Sequence, residues 1–210
     1  MIPLILKLKI KEHKEIAQAQ DLIVEALFNV FDKAVLHGGT SIWRCYNGNR
    51  FSEDIDVIIP KDLDKINIFF EKLAQRGFSI LKKKITQNSL FSKLKINNII
   101  VRFEALFKHV KGILKEYITV DSTFLTVYTL ASEDIIKEKI NAYLSRLKIR
   151  DLYDIFFLLR YSKKDIIKED LKKLINNFKL PIDKKELKVL IIEGICPSIE
   201  EMLDYIKRNV

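Results

Sequence analysis

The segment from Gly38 to Asp56 constrains this chain more than any other. It joins two glycines, a short helix-like stretch and a strand-like stretch that carries two aspartates. The glycines allow backbone N–H groups to approach an anion closely, and a helix beginning at Thr40 would direct its positive end toward that anion. Asp54 and Asp56 are two residues apart, so on a strand their carboxylates point to the same face.

These paired carboxylates predict a metal site. Like charges side by side repel unless a cation lies between them, and Mg²⁺ takes oxygen ligands while leaving positions for substrate phosphates. A third carboxylate normally completes a two-metal site with the ions ~4 Å apart. Glu104 is the best candidate because it shares a strand face with Arg102, opposite the apolar side chains of that strand. The alternative is that Arg102 and Glu104 form only a surface ion pair. Metal carboxylates beside a phosphate cradle predict phosphoryl or nucleotidyl transfer.

Two sequence blocks carry a family resemblance. The run GGTSIWRCYNGNRFSEDIDV resembles the nucleotidyltransferase AbiEii/AbiGii toxin family, within the polymerase-β-like nucleotidyltransferase superfamily. The second block is EDIIKEKI, followed by Arg146 and by RDLYD, and the two blocks together span residues 38–154. The resemblance implies a nucleoside triphosphate substrate, two Mg²⁺ ions and a cognate antitoxin. Some toxins of this kind modify the 3′ end of tRNA.

The resemblance implies an α+β fold in which a polymerase-β-like nucleotidyltransferase domain with a mixed sheet precedes a C-terminal helical domain. Hydrophobic spacing predicts helices at 11–32, 40–46 and 63–75, and strands at 34–36, 55–59, 78–86, 90–96 and 99–106. After Ser132 only helical patterns follow, including helices at 164–177, 183–193 and 198–209. We therefore expect a nucleotidyltransferase domain at 1–130 and a helical domain at 131–210.

The predicted nucleotide site begins at the glycine turn. Backbone N–H and hydroxyl groups there would hold the triphosphate, although the same turn could simply cap a helix. Arg44 would reach a phosphate or pair with Glu53, and Ser52 would touch a phosphate or fix the end of the strand. The predicted nucleotide-binding residues are Gly38, Gly39, Thr40, Ser41, Arg44 and Ser52.

Two further catalytic candidates come from the second block. Lys139 would place a positive charge near the triphosphate or the leaving pyrophosphate. The alternative for Lys139 is a solvated surface lysine. The family pattern implies that Asp151 lines the cleft, and the alternative is a structural Arg150–Asp151 pair.

Charge is concentrated in one segment. The chain carries a net charge of +9, and ten basic residues against two acidic ones place +8 of it in residues 76–116. Such a segment favours a polyanion, which makes RNA the expected acceptor. The alternative is a solvated lysine-rich face.

The sequence favours two other functions less. A small acceptor such as an aminoglycoside would need an acidic cleft, which the basic segment does not favour. An inactive descendant that binds only RNA or protein has no use for clustered acids near RNA phosphates. We expect no membrane segment and no secretory signal. Cys45 and Cys196 have no metal spacing, and we expect them to be reduced in a cytoplasmic protein.

Overall fold

The chain forms two compact units. A computed structural model describes residues 3–210. Residues up to Asn47 and Phe51–Leu130 make up the first unit, and Gly48–Arg50 with Ala131–Val210 make up the second. Arg50 therefore belongs with the helical unit although it lies only six residues before Asp56. The division into a nucleotidyltransferase domain at 1–130 and a helical domain at 131–210 stays a prediction.

The first unit is built on a mixed sheet, as predicted. Its strand order is β3-β4-β5-β2-β1-β7-β6. β1 pairs with β2 antiparallel and with β7 parallel, while β2 pairs with β5 parallel. The strands are β1 Val35–His37, β2 Ile55–Ile59, β3 Ser79–Ile85, β4 Ser89–Ile96, β5 Ile99–Phe107, β6 Ile113–Ile118 and β7 Phe124–Thr129.

Helices cover one face of this sheet. They are α1 Leu4–Lys7, α2 Lys11–Phe28, α3 Gly38–Cys45 and α4 Leu63–Gln75. Phe69 of α4 lies 5.0 Å, ring to ring, from Phe103 of β5. Along β5 the residues alternate between buried and exposed from Ile99 to Glu104, because one face packs on helices and the other faces solvent. We call this second face, on β2, β5, β4 and β3, the open face.

Two strands were missing from the sequence prediction. Residues 107–131 received no assignment, yet β6 and β7 form a hairpin there. Its turn includes Ser122, which has a positive φ of 61°. The signal was available, because both segments are rich in β-branched and aromatic residues around an Asp-Ser turn. The helix predicted at 11–32 corresponds to α2 and ends earlier, at Phe28.

The second unit is helical, as predicted. Its helices are α5 Ser132–Arg146, α6 Ile149–Leu158, a short 3₁₀ helix Leu159–Tyr161, α7 Lys164–Asn176, α8 Glu186–Leu190 and α9 Ile199–Lys207. α5 is followed by Leu147, whose φ of 51° is left-handed, and α9 is preceded by Ser198, which forms a capping box with Glu201. The helix predicted at 183–193 is shorter because α8 begins only at Glu186. Within residues 3–210 no helix combines the length and apolarity needed to cross a bilayer.

Candidate functional site

Two of the predicted metal ligands lie side by side at the centre of the sheet. β2 lies between β1 and β5, and the register pairs Asp56 with Glu104 and with His37. Residues that are directly opposite on neighbouring strands share a face, so the carboxylates of Asp56 and Glu104 both lie on the open face. The backbones of the two residues are about 5 Å apart, the spacing of neighbouring strands. The structure therefore brings together two groups that are 48 residues apart in sequence.

Gly38 is required by the position of Asp56. It has a positive φ of 69°, and a Cβ atom added there would lie 3.0 Å from Cγ of Asp56 and closer still to Oδ2. Any side chain at this position would push the carboxylate away. The glycine turn predicted as a phosphate cradle is thus in direct contact with the acidic site.

The hydroxyls of the glycine turn point into the protein. Thr40 and Ser41 are completely buried. The Thr40 hydroxyl donates to the main-chain oxygen of Asp54, and the Ser41 hydroxyl is hydrogen-bonded to that of Thr129. These hydroxyls hold the loop to β2 and β7, so the predicted hydroxyl contacts with a triphosphate are not supported. The backbone remains suited to an anion, because the side chain of His37 makes no capping hydrogen bond at the N-terminus of α3 and the first N–H groups of a helix have no partner within it.

Ser52 is fixed through its backbone. Its carbonyl oxygen accepts a hydrogen bond of 2.8 Å from Nε2 of Gln20 in α2. The same amide lies 3.5 Å from the Thr40 hydroxyl. Gln20 is fully buried and joins the two segments that flank the aspartates. Sequence analysis missed it, and an isolated polar residue within the apolar pattern of a helix was the one available signal.

Asp54 pairs with a cation of the protein itself. Nε of Arg102 donates to Oδ1 of Asp54 at 2.7 Å, and Nη2 donates to Oδ2. The sequence alternative of an Arg102–Glu104 ion pair is therefore replaced by an Arg102–Asp54 pair. Within residues 3–210 no three acidic, histidine or cysteine side chains are close enough to hold one metal ion. The all-oxygen donor set of Asp56 and Glu104 suits a hard cation such as Mg²⁺. Asp54 would have to leave Arg102 to contribute an oxygen to such an ion.

The electrostatics of Glu104 reflect this crowding. Partial burial and the negative charge of Asp56 raise the pKa of Glu104, Arg102 opposes this shift, and Asp54 adds to it. The three carboxylates are thus close enough to influence one another. A cation placed here would relieve that repulsion.

Arg44 has a role inside the core instead of the predicted phosphate contact. It is completely buried and forms an ion pair of 3.1 Å with Asp21, not with Glu53. Its guanidinium donates to the main-chain oxygens of Ile118 and Ala17 and lies 4.0 Å from the ring centre of Trp43. These contacts turn the guanidinium away from solvent, so the prediction that it reaches a phosphate is not supported.

Lys139 and Asp151 meet within the second unit. Nζ of Lys139 lies 3.5 Å from Asp151 and 2.8 Å from Asp154, and the lysine is 8% exposed. Asp151 is completely buried and accepts two hydrogen bonds of 2.7 Å from Arg146. Both structural alternatives given for these residues are wrong. Lys139 is buried rather than solvated, and Asp151 pairs with Arg146 rather than with Arg150. The catalytic roles of Lys139 and Asp151 stay predictions.

Asp154 connects this cluster to Arg50. Nε and Nη2 of Arg50 donate to the two carboxylate oxygens of Asp154 at 2.9 and 2.8 Å, and both residues are almost fully buried. Burial alone would raise the pKa of Asp154, but the charges of Arg50 and Lys139 lower it. Sequence analysis gave this pairing no role because its partners are 104 residues apart.

The basic segment divides between the two faces of the sheet. Lys82 pairs in register with Lys93, and Lys93 with Arg102, so all three lie on the open face. Lys83 points to the helical face, where Nζ is hydrogen-bonded to Asn67 and lies 4.4 Å from the ring centre of Phe70. Positive charge on the open face therefore adjoins the acidic site directly.

The mixed sheet, the paired carboxylates and the glycine turn at a helix N-terminus define a nucleotidyltransferase. The sequence agrees with this class. The family model described as nucleotidyl transferase AbiEii toxin, type IV toxin–antitoxin system, matches residues 22–187, and the chain belongs to this family. The predicted family and enzyme class are thereby confirmed. No curated protein matches the chain by sequence.

Solved structures show the same fold. The nucleotidyltransferase toxin MenT4 from Mycobacterium tuberculosis is 16% identical, with a TM-score of 0.65 over 94% of this chain and 82% of its own. JHP933 from Helicobacter pylori is 18% identical, with a TM-score of 0.61 over 92% and 89%. ANT(2″)-Ia in complex with adenylyl-2″-tobramycin is 11% identical, with a TM-score of 0.51 over 78% and 98%. The predicted fold class is confirmed.

Proposed function

We propose that the protein transfers a nucleoside monophosphate from a nucleoside triphosphate to an RNA acceptor, with the 3′ end of tRNA as the expected target, and that it acts as a toxin controlled by a cognate antitoxin. The observation that carries the enzymatic part is the contact between the glycine turn and Asp56. Gly38 has no Cβ where Asp56 stands, so an anion at the helix N-terminus and a cation at the carboxylate would lie next to each other.

The reaction is a substitution at the α-phosphorus of the triphosphate. An acceptor hydroxyl oxygen forms a bond to that phosphorus, the bond from the α-phosphorus to the bridging oxygen breaks, pyrophosphate leaves and the hydroxyl proton passes to water. The N–H groups at the start of α3 bind the phosphates and orient them. Positioning and charge neutralisation supply most of the catalysis in phosphoryl transfer.

The carboxylates of Asp56 and Glu104, joined by Asp54, would hold one or two Mg²⁺ ions. A bound divalent ion neutralises charge on the phosphates and aligns the attacking and leaving oxygens. Lys139 and Asp151 are proposed to support substrate placement, in keeping with the family pattern.

An RNA acceptor fits the charges better than an aminoglycoside does. Lys82, Lys84 and Lys93 are exposed on the open face beside Glu104. A cationic drug would be repelled from that surface, whereas a polynucleotide would be attracted. The likeness to ANT(2″)-Ia concerns the fold alone.

A labelling experiment tests this proposal. The protein is incubated with each radiolabelled triphosphate, Mg²⁺ and total RNA, and the products are separated on a denaturing gel. We expect label in RNA with the wild-type protein and none with Asp56→Ala. Glu53→Ala is the matched control, because Glu53 is an exposed neighbouring acid that lies before β2 and was not assigned to the metal site. Equal labelling by wild type and Asp56→Ala would refute the assignment of the site.

The cellular setting that we propose is the cytoplasm. Both Cys45 and Cys196 are free thiols. Burial raises the pKa of Cys45 to about 12, so its thiol is unreactive. Free thiols agree with a reducing compartment such as the cytoplasm.

A further inference from the structure

One continuous row of side chains crosses five strands of the sheet, and the proposed function assigns roles to only some of them. Register pairs link His37 to Asp56, Asp56 to Glu104, Glu104 to Phe91 and Phe91 to Lys84. Directly opposite residues share a face, so these five side chains cross five neighbouring strands on the same side of the sheet. Phe91 stands about 4.8 Å from Glu104 at the backbone, the spacing of neighbouring strands.

The row has a direction. α3, the candidate phosphate cradle, follows His37 at the β1 end, and the lysines lie at the β3 end. Asp56 and Glu104 lie between them. In phosphoryl transfer the attacking and leaving oxygens lie roughly in line on opposite sides of the phosphorus. If pyrophosphate leaves toward α3, the acceptor hydroxyl must arrive from the side of β4 and β3.

Phe91 suits a base on that side. It is partly exposed, it stands between Glu104 and Lys84 in the row, and Nζ of Lys82 lies 5.5 Å from the centre of its ring. Lys82 is exposed and its stem is flexible, so a phosphate can draw the ammonium off the ring and leave the aromatic surface to a base. Positive charge along a backbone path with an aromatic platform is the combination that binds single-stranded nucleic acid.

From this placement we infer that β3 and β4 form an acceptor track for the single-stranded 3′ end of an RNA, in which Phe91 stacks on one of the last bases while Lys82, Lys84 and Lys93 bind phosphates. The inference rests on the proposed nucleotidyl transfer to RNA and adds a residue that selects single-stranded over base-paired ends. Its reason is geometric, because a base must be unstacked from its neighbours to lie on Phe91.

The first test measures binding alone. Fluorescence anisotropy compares a short single-stranded RNA with a blunt duplex of the same sequence. We expect Phe91→Leu to weaken single-strand binding about 5- to 150-fold, the range given by base–aromatic stacking. Phe91→Trp should retain binding, since it keeps an aromatic face. Equal binding of single strand by wild type and Phe91→Leu would overturn the role of Phe91.

The second test measures stacking directly. A fluorescent adenine analogue is placed at the last or the next-to-last position of the single strand, where stacking on an aromatic ring quenches it. Quenching should occur with wild type and Phe91→Trp and should disappear with Phe91→Leu at saturating protein. Quenching that persists in Phe91→Leu would also overturn the proposal.

The third test uses the two faces of β3. The double variant Lys82→Gln/Lys84→Gln removes charge from the open face, and Lys83→Gln removes it from the helical face of the same strand. Log affinity falls as log salt rises, and the double variant should make this fall less steep by about 1.4 in slope. Lys83→Gln should leave the slope unchanged. Equal slopes for all three proteins would contradict an acceptor track on this face.

Failure of the track and failure of the proposed function give different results. Wild-type label in RNA together with unaffected Phe91→Leu binding would refute the track and keep the transferase. Phe91-dependent quenching without nucleotide transfer by the wild type would keep the track and refute the transferase. Loss of triphosphate affinity rather than RNA affinity in Phe91→Leu would place the donor base on Phe91 and overturn the inference.

Discussion

Replacing Asp154 by asparagine should destabilise the protein severely. Asp154 is 1% exposed and accepts hydrogen bonds from Arg50 at 2.9 and 2.8 Å. Lys139 lies 2.8 Å from the same carboxylate and is itself buried. The amide keeps the shape of the side chain and removes the charge that compensates two buried cations.

The size of the effect follows from burial. Removing one partner of a buried ion pair costs about 3–5 kcal/mol, because the remaining charge is left uncompensated. Glu169→Gln is the matched control. Its carboxylate lies 2.7 Å from Lys172, but both side chains are largely exposed, and such pairs contribute about 0–1 kcal/mol. The two ion pairs have similar lengths, but Asp154→Asn should lower the free energy of unfolding severalfold more than Glu169→Gln does.

Equilibrium unfolding in urea, followed by far-ultraviolet circular dichroism, measures both changes, because the second unit is mostly helical. The midpoint should fall strongly for Asp154→Asn and slightly for Glu169→Gln, with an unchanged slope. Similar midpoints for the two variants would refute the reasoning that burial makes the Asp154 cluster important.

The pH dependence gives a second check. The pKa of Asp154 is lowered in the folded protein, whereas an aspartate in the unfolded chain has a pKa of about 3.9. Its contribution to stability is therefore fully present above about pH 4 and disappears as the pH falls toward the folded pKa. The gap between wild type and Asp154→Asn should be constant between about pH 5 and 8 and close below about pH 4. A gap that closed toward neutral pH would contradict the assigned pairing.

Two further predictions concern the acidic site. Gly38→Ala should lower the rate of nucleotide transfer about 100-fold, because the added Cβ displaces Asp56 and displacements of about 1 Å cost this much; the measurement is the initial rate of labelling. Arg102→Gln should strengthen binding of Mg²⁺ by up to about fivefold, because it releases Asp54 from a partly exposed ion pair; the measurement is calorimetric titration.

Each of these has a matched control. Gly77→Ala also places alanine at a positive φ, of 88°, but its Cβ would meet nothing within 4 Å. It should lose stability and keep activity, and equal rates for the two alanine variants would disprove the steric argument. Lys95→Gln removes one charge from the same face of the sheet without freeing Asp54. If it changes metal affinity as much as Arg102→Gln does, general charge rather than competition for Asp54 is responsible.

Local patterns predicted most of the regular structure. β2 and α4 begin and end at the predicted residues, because Pro60 and Gly77 mark the boundaries and the apolar spacing is clear. β6 and β7 went unpredicted although their composition favours strands. The face shared by Arg102 and Glu104 was also predicted correctly, since alternation along a strand is a local property.

The partners of the charged residues were harder to predict. Arg44 was expected to reach a phosphate or pair with Glu53, and it lies in the core. For Arg102 the alternative was an ion pair with Glu104, and its partner is Asp54. Lys83 belongs to the basic segment 76–116 but points to the face opposite that of Lys82 and Lys84. A charged residue has the same appearance in a sequence whether its partner is solvent, substrate or a distant side chain.

The sequence by itself determined the family, the enzyme class and the mixed α+β architecture, because these depend on short motifs and on spacing along a few turns or strands. The same motifs predict which acidic residues form the site, and that assignment stays a prediction. Only the tertiary structure decided that Glu104 stands beside Asp56, that Phe91 extends the same row, and that Asp154 compensates Arg50 and Lys139. The reason is that strand order and long-range ion pairs arise from burial of the whole chain, and no local pattern records which distant segments will meet.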